Sequence, residues 1–565
     1  MIRSIIGQGL RQAGIYSKVT RARRFLADSE YRQGLLDIEK DVIATRRAIG
    51  RFMSRGAERA DPGKQVLIIS MSNLPVLLKF HALLAKALQL RGYTPVILTK
   101  SQGKLARRYF PLFGINDVVF WDECVRDNSG CDGIVDGVVK TFLNDKPTIQ
   151  DIKGWRFQGV SVGKHALSSA TRARLRGQFD LRDPETFELF SRYLREAVKS
   201  VLTAEKLLAQ RPISKMIVRD AGYVPNGGIY EVGLAKGIDA LRVEMGQRKG
   251  SWLFKRYTAD TAGQALFSIS PSTWDRLKKS PLTAEQAAEL EANFTDRYDP
   301  TSQMDVNLYQ SGKNFIPTDD VRARLALDPA KQTGVIFAHI SWDASFFDGE
   351  DLYDDYEQWL VESTRLACAN PQLNWIIKLH PANLFKLQRE NGVTEETEML
   401  ALRRLGDLPP HVRVVHANTE INTRSLFPLI DYCLTVRGTI GMELPCFGIP
   451  TLTAGTGRYD GYGFTTDCQS RREYEERVRD LHRTPRLQPE QIEMARRHAY
   501  WTLVRRQTSF DDVGHITTRP VGEARHNLHQ NLSITSRSLS EFESAMSVKA
   551  FSDWAVEGES PDLIV

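Results

Sequence analysis

The sequence lacks a long uninterrupted run of apolar residues. Its best candidate, VLIISMSNLPVLLKFHALLAKAL, is broken by Asn73, Lys79 and His81, whereas a membrane-spanning helix needs about 20 mostly apolar residues in a row. The first stretch, MIRSIIGQGLRQAGIY, also lacks the continuous apolar centre of a secretory signal. We therefore expect neither a transmembrane helix nor a secretory leader.

Cysteine is scarce as well. The chain has six cysteines in 565 residues, and Cys124 and Cys131 are the closest pair. There is no CxxC motif and no Cys/His cluster with the spacing of a zinc site. This pattern favours reduced thiols in a cytoplasmic protein over a disulfide framework.

Positive charge is concentrated at the N-terminus. Residues 1–60 contain 13 Lys and Arg against 6 Asp and Glu, a surplus of seven that equals the net charge of the whole chain, +7. Nucleic-acid-binding proteins more often carry such a surplus on a folded domain, so we expect no nucleic-acid partner. The segment is either an amphipathic helix on an anionic membrane surface or a helix packed on the body with solvated arginines.

Strands and helices alternate in two successive blocks, from KQVLIIS to DALRVE and from GVIFAHI to IPTLTA. This alternation predicts βαβ units and parallel sheets. We therefore predict an α/β protein with two Rossmann-like, doubly wound domains that face a cleft. The predicted parts are a basic helical extension (1–60), a first domain (61–315), a second domain (316–520) and a partly disordered tail (521–565). Residues 125–180 are interpreted as an insertion or loops, and 250–330 as mixed helix and loop.

Candidate site residues follow strands of the second block, where open parallel sheets bind their ligands. His380 and Pro381 come directly after NWIIKL. Histidine can donate a hydrogen bond to a phosphate, and proline fixes the turn that carries it. Such a pair on its own is more often structural, so the neighbouring strand ends have to support it.

A second signal follows the strand DYCLTV, where Arg437, Gly438 and Thr439 precede a short helix. Free N–H groups at a helix start suit phosphate, and glycine lets a ligand approach the backbone. One turn further, Glu443 is placed to accept hydrogen bonds from ribose hydroxyls, or else it is only a carboxylate favoured by the helix dipole. Asp343 follows GVIFAHI and should line the same edge.

The KLHP turn, followed about fifty residues later by DYCLTVRGTIGMELPCFGIPTL, resembles the donor half of GT-B glycosyltransferases. More narrowly, it is similar to the bacterial capsule polysaccharide biosynthesis family, which includes Kdo transferases and is related to polysialyltransferases. The likeness is good over 330–480 and looser over 60–250. It implies a GT-B fold, a nucleotide-sugar donor and a glycan or glycolipid acceptor. We expect a cytoplasmic protein, held peripherally at the inner face of the cytoplasmic membrane if the basic N-terminal segment binds lipid.

Carried over, the resemblance assigns the donor phosphates to His380, Pro381, Arg437, Gly438 and Thr439, and the ribose to Glu443. The family usually has a small hydroxyl residue where this chain has Arg437. That arginine is either extra positive charge near the phosphates or a salt-bridge partner within the domain. CMP-, UDP- and GDP-sugars all stay open as donors, and so do retention and inversion.

The base for the acceptor hydroxyl should come from the first domain, across the cleft. Asp220, at the end of KMIVRD, and Glu231, in the next helix, are the candidates there, and Asp343 is a third. An Asp before such a turn is more commonly an Asx-turn residue. The acidic stretch YDDYEQW is interpreted as a helix start, so we expect no metal and no cofactor besides the nucleotide sugar.

Three functions remain open. The leading one is a glycosyltransferase of capsule or surface polysaccharide. The second is a sugar-nucleotide 2-epimerase, which needs several acidic residues in the cleft and no acceptor platform. The third is an inactive GT-B protein that acts as an assembly partner. The set of His380, Arg437, Thr439 and Glu443 argues against the third.

Overall fold

The computed structural model describes residues 29–101, 103–302, 309–310, 312–343, 346–384, 396–520 and 528–564. In chain order its strands are β1 (Asp61–Ile69), β2 (Tyr93–Thr99), β3 (Val118–Phe120), β4 (Ile213–Val218), β5 (Asp239–Met245), β6 (Ser251–Tyr257), β7 (Thr333–Phe337), β8 (Asn374–Lys378), β9 (Val412–Val415), β10 (Tyr432–Thr435), β11 (Thr451–Thr453), β12 (Thr466–Asp467), β13 (Thr508–Ser509), β14 (Gly514–Pro520) and β15 (Leu528–Ile534).

The α-helices before and within the first domain span Ser29–Ile49, Pro75–Leu90, Ala106–Tyr109, Trp121–Asp127, Asp132–Asn144, Ile149–Gly154, Val162–Arg174, Pro184–Ala209 and Asn226–Ala235. The connection to the second domain contains helices Pro271–Leu277 and Ala284–Tyr298. Those after the connection span Thr318–Arg324, Tyr356–Cys368, Thr397–Leu402, Ile440–Glu443, Arg471–Arg479, Pro489–Tyr500, Leu539–Ser544 and Met546–Val556.

Each domain is built on one sheet. The first has the order β13-β6-β5-β4-β1-β2-β3, in which β1 to β5 are parallel and β6 is antiparallel to both of its neighbours, β5 and β13. The second has the order β12-β11-β10-β7-β8-β9 and is parallel throughout. In both, the chain reverses its direction of strand addition near the middle, between β1 and β4 and between β7 and β10. Such switch points form ligand crevices at the strand ends.

Alternating strand residues explain the layers of each domain. In β1, Val66 and Ile68 join the apolar cluster on one face of the sheet, and Leu67 and Ile69 join the cluster on the other. This is the period of two expected for a strand covered on both faces. Two doubly wound domains that face one cleft confirm the predicted GT-B fold class.

Residues 125–180 are not loops, because they contain three whole helices and the end of a fourth. Of the two predicted alternatives, an insertion or loops, only the insertion fits. The buried faces of these helices use small and β-branched residues such as Val139, Ile152, Ala166 and Ala170. Strand β6 lies within 250–330, which had been interpreted as helix and loop. The lysine in its sequence, SWLFKRY, is not typical of a buried strand. In the structure Lys255 is nevertheless fully buried, and its ammonium donates to the carbonyl oxygens of Ala265 and Ser268.

The tail corrects the expectation of loose, partly disordered packing. Residues 528–564 return to the first domain, where Phe551 and Trp554 pack against Phe254. Arg506 and Asp562 form a fully buried ion pair of 3.2 Å. A buried charge pair with apolar packing around it needs a fixed chain, so this segment belongs to the first domain.

The N-terminal extension is also part of the body from Ser29 onward. Helix Ser29–Ile49 contributes Val42 and Ile49 to the apolar core. Its Asp41 accepts from the buried ammonium of Lys79 at 2.9 Å. Residues 1–28 lie outside the described residues, and the membrane interpretation of them stays a prediction. None of the described helices is long and apolar enough to cross a membrane.

Candidate functional site

A cavity of about 600 Å³ lies between the two domains. The ends of β4 and β5 line it from the first domain, and the ends of β7, β8 and β10 line it from the second. Of the predicted site residues, the cavity brings together Asp220, Asp343, His380, Pro381, Arg437, Gly438 and Thr439. Glu231 and Glu443 do not line it.

His380 is a neutral hydrogen-bond donor at the end of β8. The backbone N–H of Ala382 donates to its Nδ1 at 3.2 Å, which assigns the ring proton to Nε2. Burial, together with the nearby cations Lys378 and Lys313, lowers the pKa of His380 to about 3. The imidazole therefore stays neutral at physiological pH and offers one N–H.

Arg437 joins two strand-end loops of the second domain. It forms an ion pair with Asp351 and donates to the carbonyl oxygen of Phe347 at 2.8 Å. Its Nε–H has no partner among the described residues. The arginine therefore combines both alternatives weighed from the sequence, because it lines the cleft and also makes a salt bridge within the domain.

The turn after β10 leaves two backbone donors at the cleft. The N–H of Gly438 is taken by the hydroxyl oxygen of Thr435 at 3.2 Å. The next two, on Thr439 and Ile440, have no protein acceptor in the described part of the chain, and both residues line the cavity. Unpaired N–H groups at a helix start attract an anion.

Gly438 leaves little room for a side chain between its protein neighbours. A Cβ there would lie 3.0 Å from Thr435 Oγ1 and 3.3 Å from Cε1 of His339. The Tyr459 hydroxyl also donates to the carbonyl oxygen of Gly438 at 2.8 Å. The glycine therefore lets His339 pack beneath the turn, in addition to the ligand access expected from the sequence.

His339 is a site residue that the sequence interpretation missed. It follows β7, and its Nε2 accepts from the backbone N–H of Val436 at 2.9 Å. Burial, then the neighbouring His380, holds the pKa of His339 well below its usual range. The ring thus links the ends of β7 and β10. The signal was available in FAHISW, where a histidine follows a strand as in IIKLHP.

The two glutamates outside the cavity, Glu443 and Glu231, form hydrogen bonds with other protein groups. Glu443 is buried, accepts from Arg297 at 2.8 Å and from the hydroxyl of Tyr298 at 2.5 Å. Glu231 accepts from Nε2 of His165 and from the backbone N–H of Ser161, both at 2.8 Å. Neither carboxylate is free to contact a ligand in this arrangement, so their predicted roles in binding and catalysis find no support in the geometry.

Asp343 lies at the mouth of the cleft and links the two domains. The hydroxyl of Tyr223, from the first domain, donates to its Oδ1 at 2.6 Å, and Arg172 is 3.6 Å away. Asp220 follows β4 and has left-handed backbone geometry, with φ of 56°. Its carboxylate pairs with Arg219 at 2.8 Å and keeps 44% of its side chain exposed.

The cleft carries a surplus of positive charge. Seven Arg and Lys side chains line it against four Asp and Glu side chains. The cations are Arg172, Arg219, Arg242, Arg297, Lys378, Arg437 and Arg458, and the anions are Asp220, Glu244, Asp343 and Asp348. Within the described chain Arg458 makes no ion pair, although it lies over the ring of Phe267 at 4.8 Å. A cleft of this kind concentrates anionic ligands.

Comparisons with known proteins give only distant structural likenesses. No family model matches the chain, and no curated protein matches it. A Thermosulfurimonas dismutans KpsC β-Kdo 2,4 transferase is 17% identical with a TM-score of 0.30, over 50% of this chain and 79% of that one. The UDP-GlcNAc 2-epimerases of Neisseria meningitidis (12% identical, 77% and 95% covered, TM-score 0.26) and Methanocaldococcus jannaschii (13%, 77% and 98%, 0.26) are also similar.

Proposed function

We propose that this protein is a glycosyltransferase that moves a sugar from a nucleotide-sugar donor to a capsule or surface polysaccharide, or to a lipid-linked precursor of one. The observation that carries the proposal is the division of the cleft. Backbone and imidazole N–H groups without protein partners among the described residues line it from the second domain, and the partly exposed carboxylate of Asp220 lines it from the first. Glycosyl transfer needs this pairing, because the leaving phosphate gains negative charge while the acceptor hydroxyl loses a proton.

The donor half of the reaction falls to the second domain. The leaving phosphate would accept from Nε2 of His380 and from the N–H groups of Thr439 and Ile440. Arg437 adds positive charge to the same edge. As the bond between the anomeric carbon and the phosphate oxygen breaks, charge grows on that oxygen. Donors that are already fixed in place stabilise this charge without reorganising, and the protein supplies them without a metal ion.

The acceptor half falls to the first domain, where Asp220 is our proposed base. Its exposed carboxylate takes the proton of the acceptor hydroxyl while the hydroxyl oxygen bonds to the anomeric carbon. Asp343 stays a candidate, but its carboxylate already accepts from Tyr223 at 2.6 Å. It is therefore better suited to holding the domains together at the cleft mouth.

A sugar-nucleotide 2-epimerase is the second candidate, favoured by one observation. Four carboxylates line the cleft, among them Asp220 and Glu244, and an epimerase needs acidic groups on both faces of a bound sugar. The cationic donor side fits both reactions equally well. The difference therefore lies in whether an acceptor is consumed.

We further propose that the protein attaches peripherally to the inner face of the cytoplasmic membrane. Residues 1–28 carry six Lys and Arg against one Asp, and basic segments with interspersed apolar residues bind anionic lipid surfaces. A lipid-linked acceptor would be presented at that surface.

One experiment separates the candidates. The purified protein is incubated with a panel of CMP-, UDP- and GDP-sugars, with and without a lipid-linked or oligosaccharide acceptor, and the products are analysed by mass spectrometry. Acceptor-dependent release of nucleotide supports the transferase. Turnover of the donor alone to an isomer supports the epimerase. If no nucleotide sugar binds or reacts, both enzymatic proposals fail and the assembly partner remains.

A further inference from the structure

Arg219 bridges two carboxylates at the edge of the first sheet. It follows β4, and its Nη1 lies 2.8 Å from Oδ2 of Asp220. Its Nε lies 2.9 Å from Oε2 of Glu244, the sixth residue of β5. All three residues line the cleft. Glu244 keeps only 16% of its side chain exposed, against 44% for Asp220.

Glu244 also holds the backbone of Asp220. The N–H of Asp220 donates to Oε1 of Glu244 at 2.8 Å, at a residue whose φ of 56° lies in the left-handed region. This region costs a non-glycine residue energy, although Asp tolerates it better than most, and the bond to Glu244 helps to hold it. Oε1 of Glu244 therefore accepts from the backbone of Asp220, and Oε2 forms an ion pair with Arg219.

We propose that Glu244 is a positioning residue for the reaction, holding Asp220 and Arg219 so that the Asp220 carboxylate faces the acceptor. The inference rests on the proposed function, because it assumes that Asp220 is the base. Glu244 touches no reacting atom in this scheme. It acts through Asp220 and Arg219, and it holds both of them only while its carboxylate is ionised.

The protonation of Glu244 should therefore control activity. Burial, in spite of Arg219, raises the pKa of Glu244 to about 7. The charged groups that face it are Arg219 and Asp220 from the end of β4, and Arg242 on its own strand, which pairs with Asp348 of the second domain at 3.2 Å. A proton on one oxygen of Glu244 removes one of its two acceptor positions, so the clamp weakens below about pH 7.

The test is the pH profile of Glu244→Gln. In the wild type, kcat/KM should rise about tenfold between pH 6 and pH 8, as expected for one controlling group near pH 7. Glutamine resembles protonated glutamate, so the variant should stay at the low-pH level and lose this rise. Glu244→Ala should fall further in kcat, with donor affinity unchanged in both variants. A Glu244→Gln profile that still rises like the wild type would overturn the inference.

Asp239→Asn is the matched control, because Asp239 is also on β5 and pairs with Lys215 on β4, outside the cleft. It should lower stability and leave the pH profile in place. A crystal structure of Glu244→Ala gives a readout that needs no activity, since residue 220 should leave the left-handed region. If the wild type turns over no nucleotide sugar, the proposed function fails, and residue 220 remaining left-handed in that crystal would independently overturn the clamp.

Discussion

Replacement of His380 tests the donor site most directly. Its Nδ1 accepts from the backbone N–H of Ala382, which leaves the Nε2–H of the imidazole as a hydrogen-bond donor for a ligand. Two further donors, the N–H groups of Thr439 and Ile440, would serve the same phosphate. Removal of one preorganised donor of this kind costs about 2.7–4 kcal/mol in the transition state. We therefore expect kcat of His380→Ala to fall about a hundred- to thousandfold.

How the loss divides between kcat and donor affinity, and whether it depends on pH, is as informative as its size. The contact strengthens as charge builds on the leaving oxygen, so kcat should fall far more than donor affinity. Because His380 stays neutral down to a pKa of about 3, the loss should be the same from pH 6 to pH 9. His380→Asn provides a second variant, since its side-chain oxygen can still accept from the N–H of Ala382 while the cleft donor is lost.

His498 provides the matched control. It is a fully buried histidine whose pKa is also lowered to about 3 by burial, but it packs against Trp274 and Tyr462 and does not line the cleft. The assay measures kcat and donor Kd beside the thermal midpoint for both variants. If His380→Ala keeps kcat within threefold of the wild type while its midpoint falls as for His498→Ala, then His380 is structural and the donor site is wrongly assigned.

Three further predictions concern stability, nucleotide binding and membrane attachment. His498→Gln should lower the free energy of unfolding by about 2 kcal/mol less at pH 5 than at pH 8. The reason is that a histidine with a folded pKa of about 3 destabilises the folded wild type as the pH falls below the unfolded pKa near 6.5. Urea denaturation at several pH values measures this, and a pH-independent loss would contradict it. Gly438→Val should crowd Thr435 and His339 and destabilise the turn by about 1–3 kcal/mol; calorimetry should also show weaker nucleotide binding, and wild-type affinity would contradict the placement of the donor phosphate at this turn. Deletion of residues 1–28 should abolish co-sedimentation with anionic vesicles, as should high salt by screening; the longer deletion to residue 60 would instead strip Asp41 from the buried Lys79. Sedimentation of the shortened protein at the wild-type level would refute the membrane role.

The central strands of both sheets could be predicted because each is a short apolar run covered on both faces. This local pattern is present in VLII, VIF, WII and CLT. Strand β6 could not be predicted, because its Lys255 looks like a surface residue. Its ammonium is satisfied by carbonyl oxygens ten and thirteen residues away, and no local pattern encodes that arrangement.

The same distinction separates the predicted site residues that line the cleft from the two that do not. Residues directly after strands, such as His380 and Gly438, reach the cleft because strand topology alone carries them there. Glu443 and Glu231 are set by side chains far away in sequence, Arg297 and His165, which neutralise them inside the protein. The sequence gives the spacing of a carboxylate but not its partner, and the partner decides whether a ligand can use it.

Glu443 also holds an arginine that contacts both sides of the cleft, and it can therefore couple donor binding to the relative position of the two domains. Arg297, which pairs with it, lies 3.3 Å from the Thr439 hydroxyl and also contacts Gln247 after β5. One guanidinium therefore links the turn proposed to hold the donor phosphate to the strand that carries Glu244. A carboxylate that binds no ligand can still matter for the reaction, because it fixes the arginine that joins the donor side of the cleft to the acceptor side.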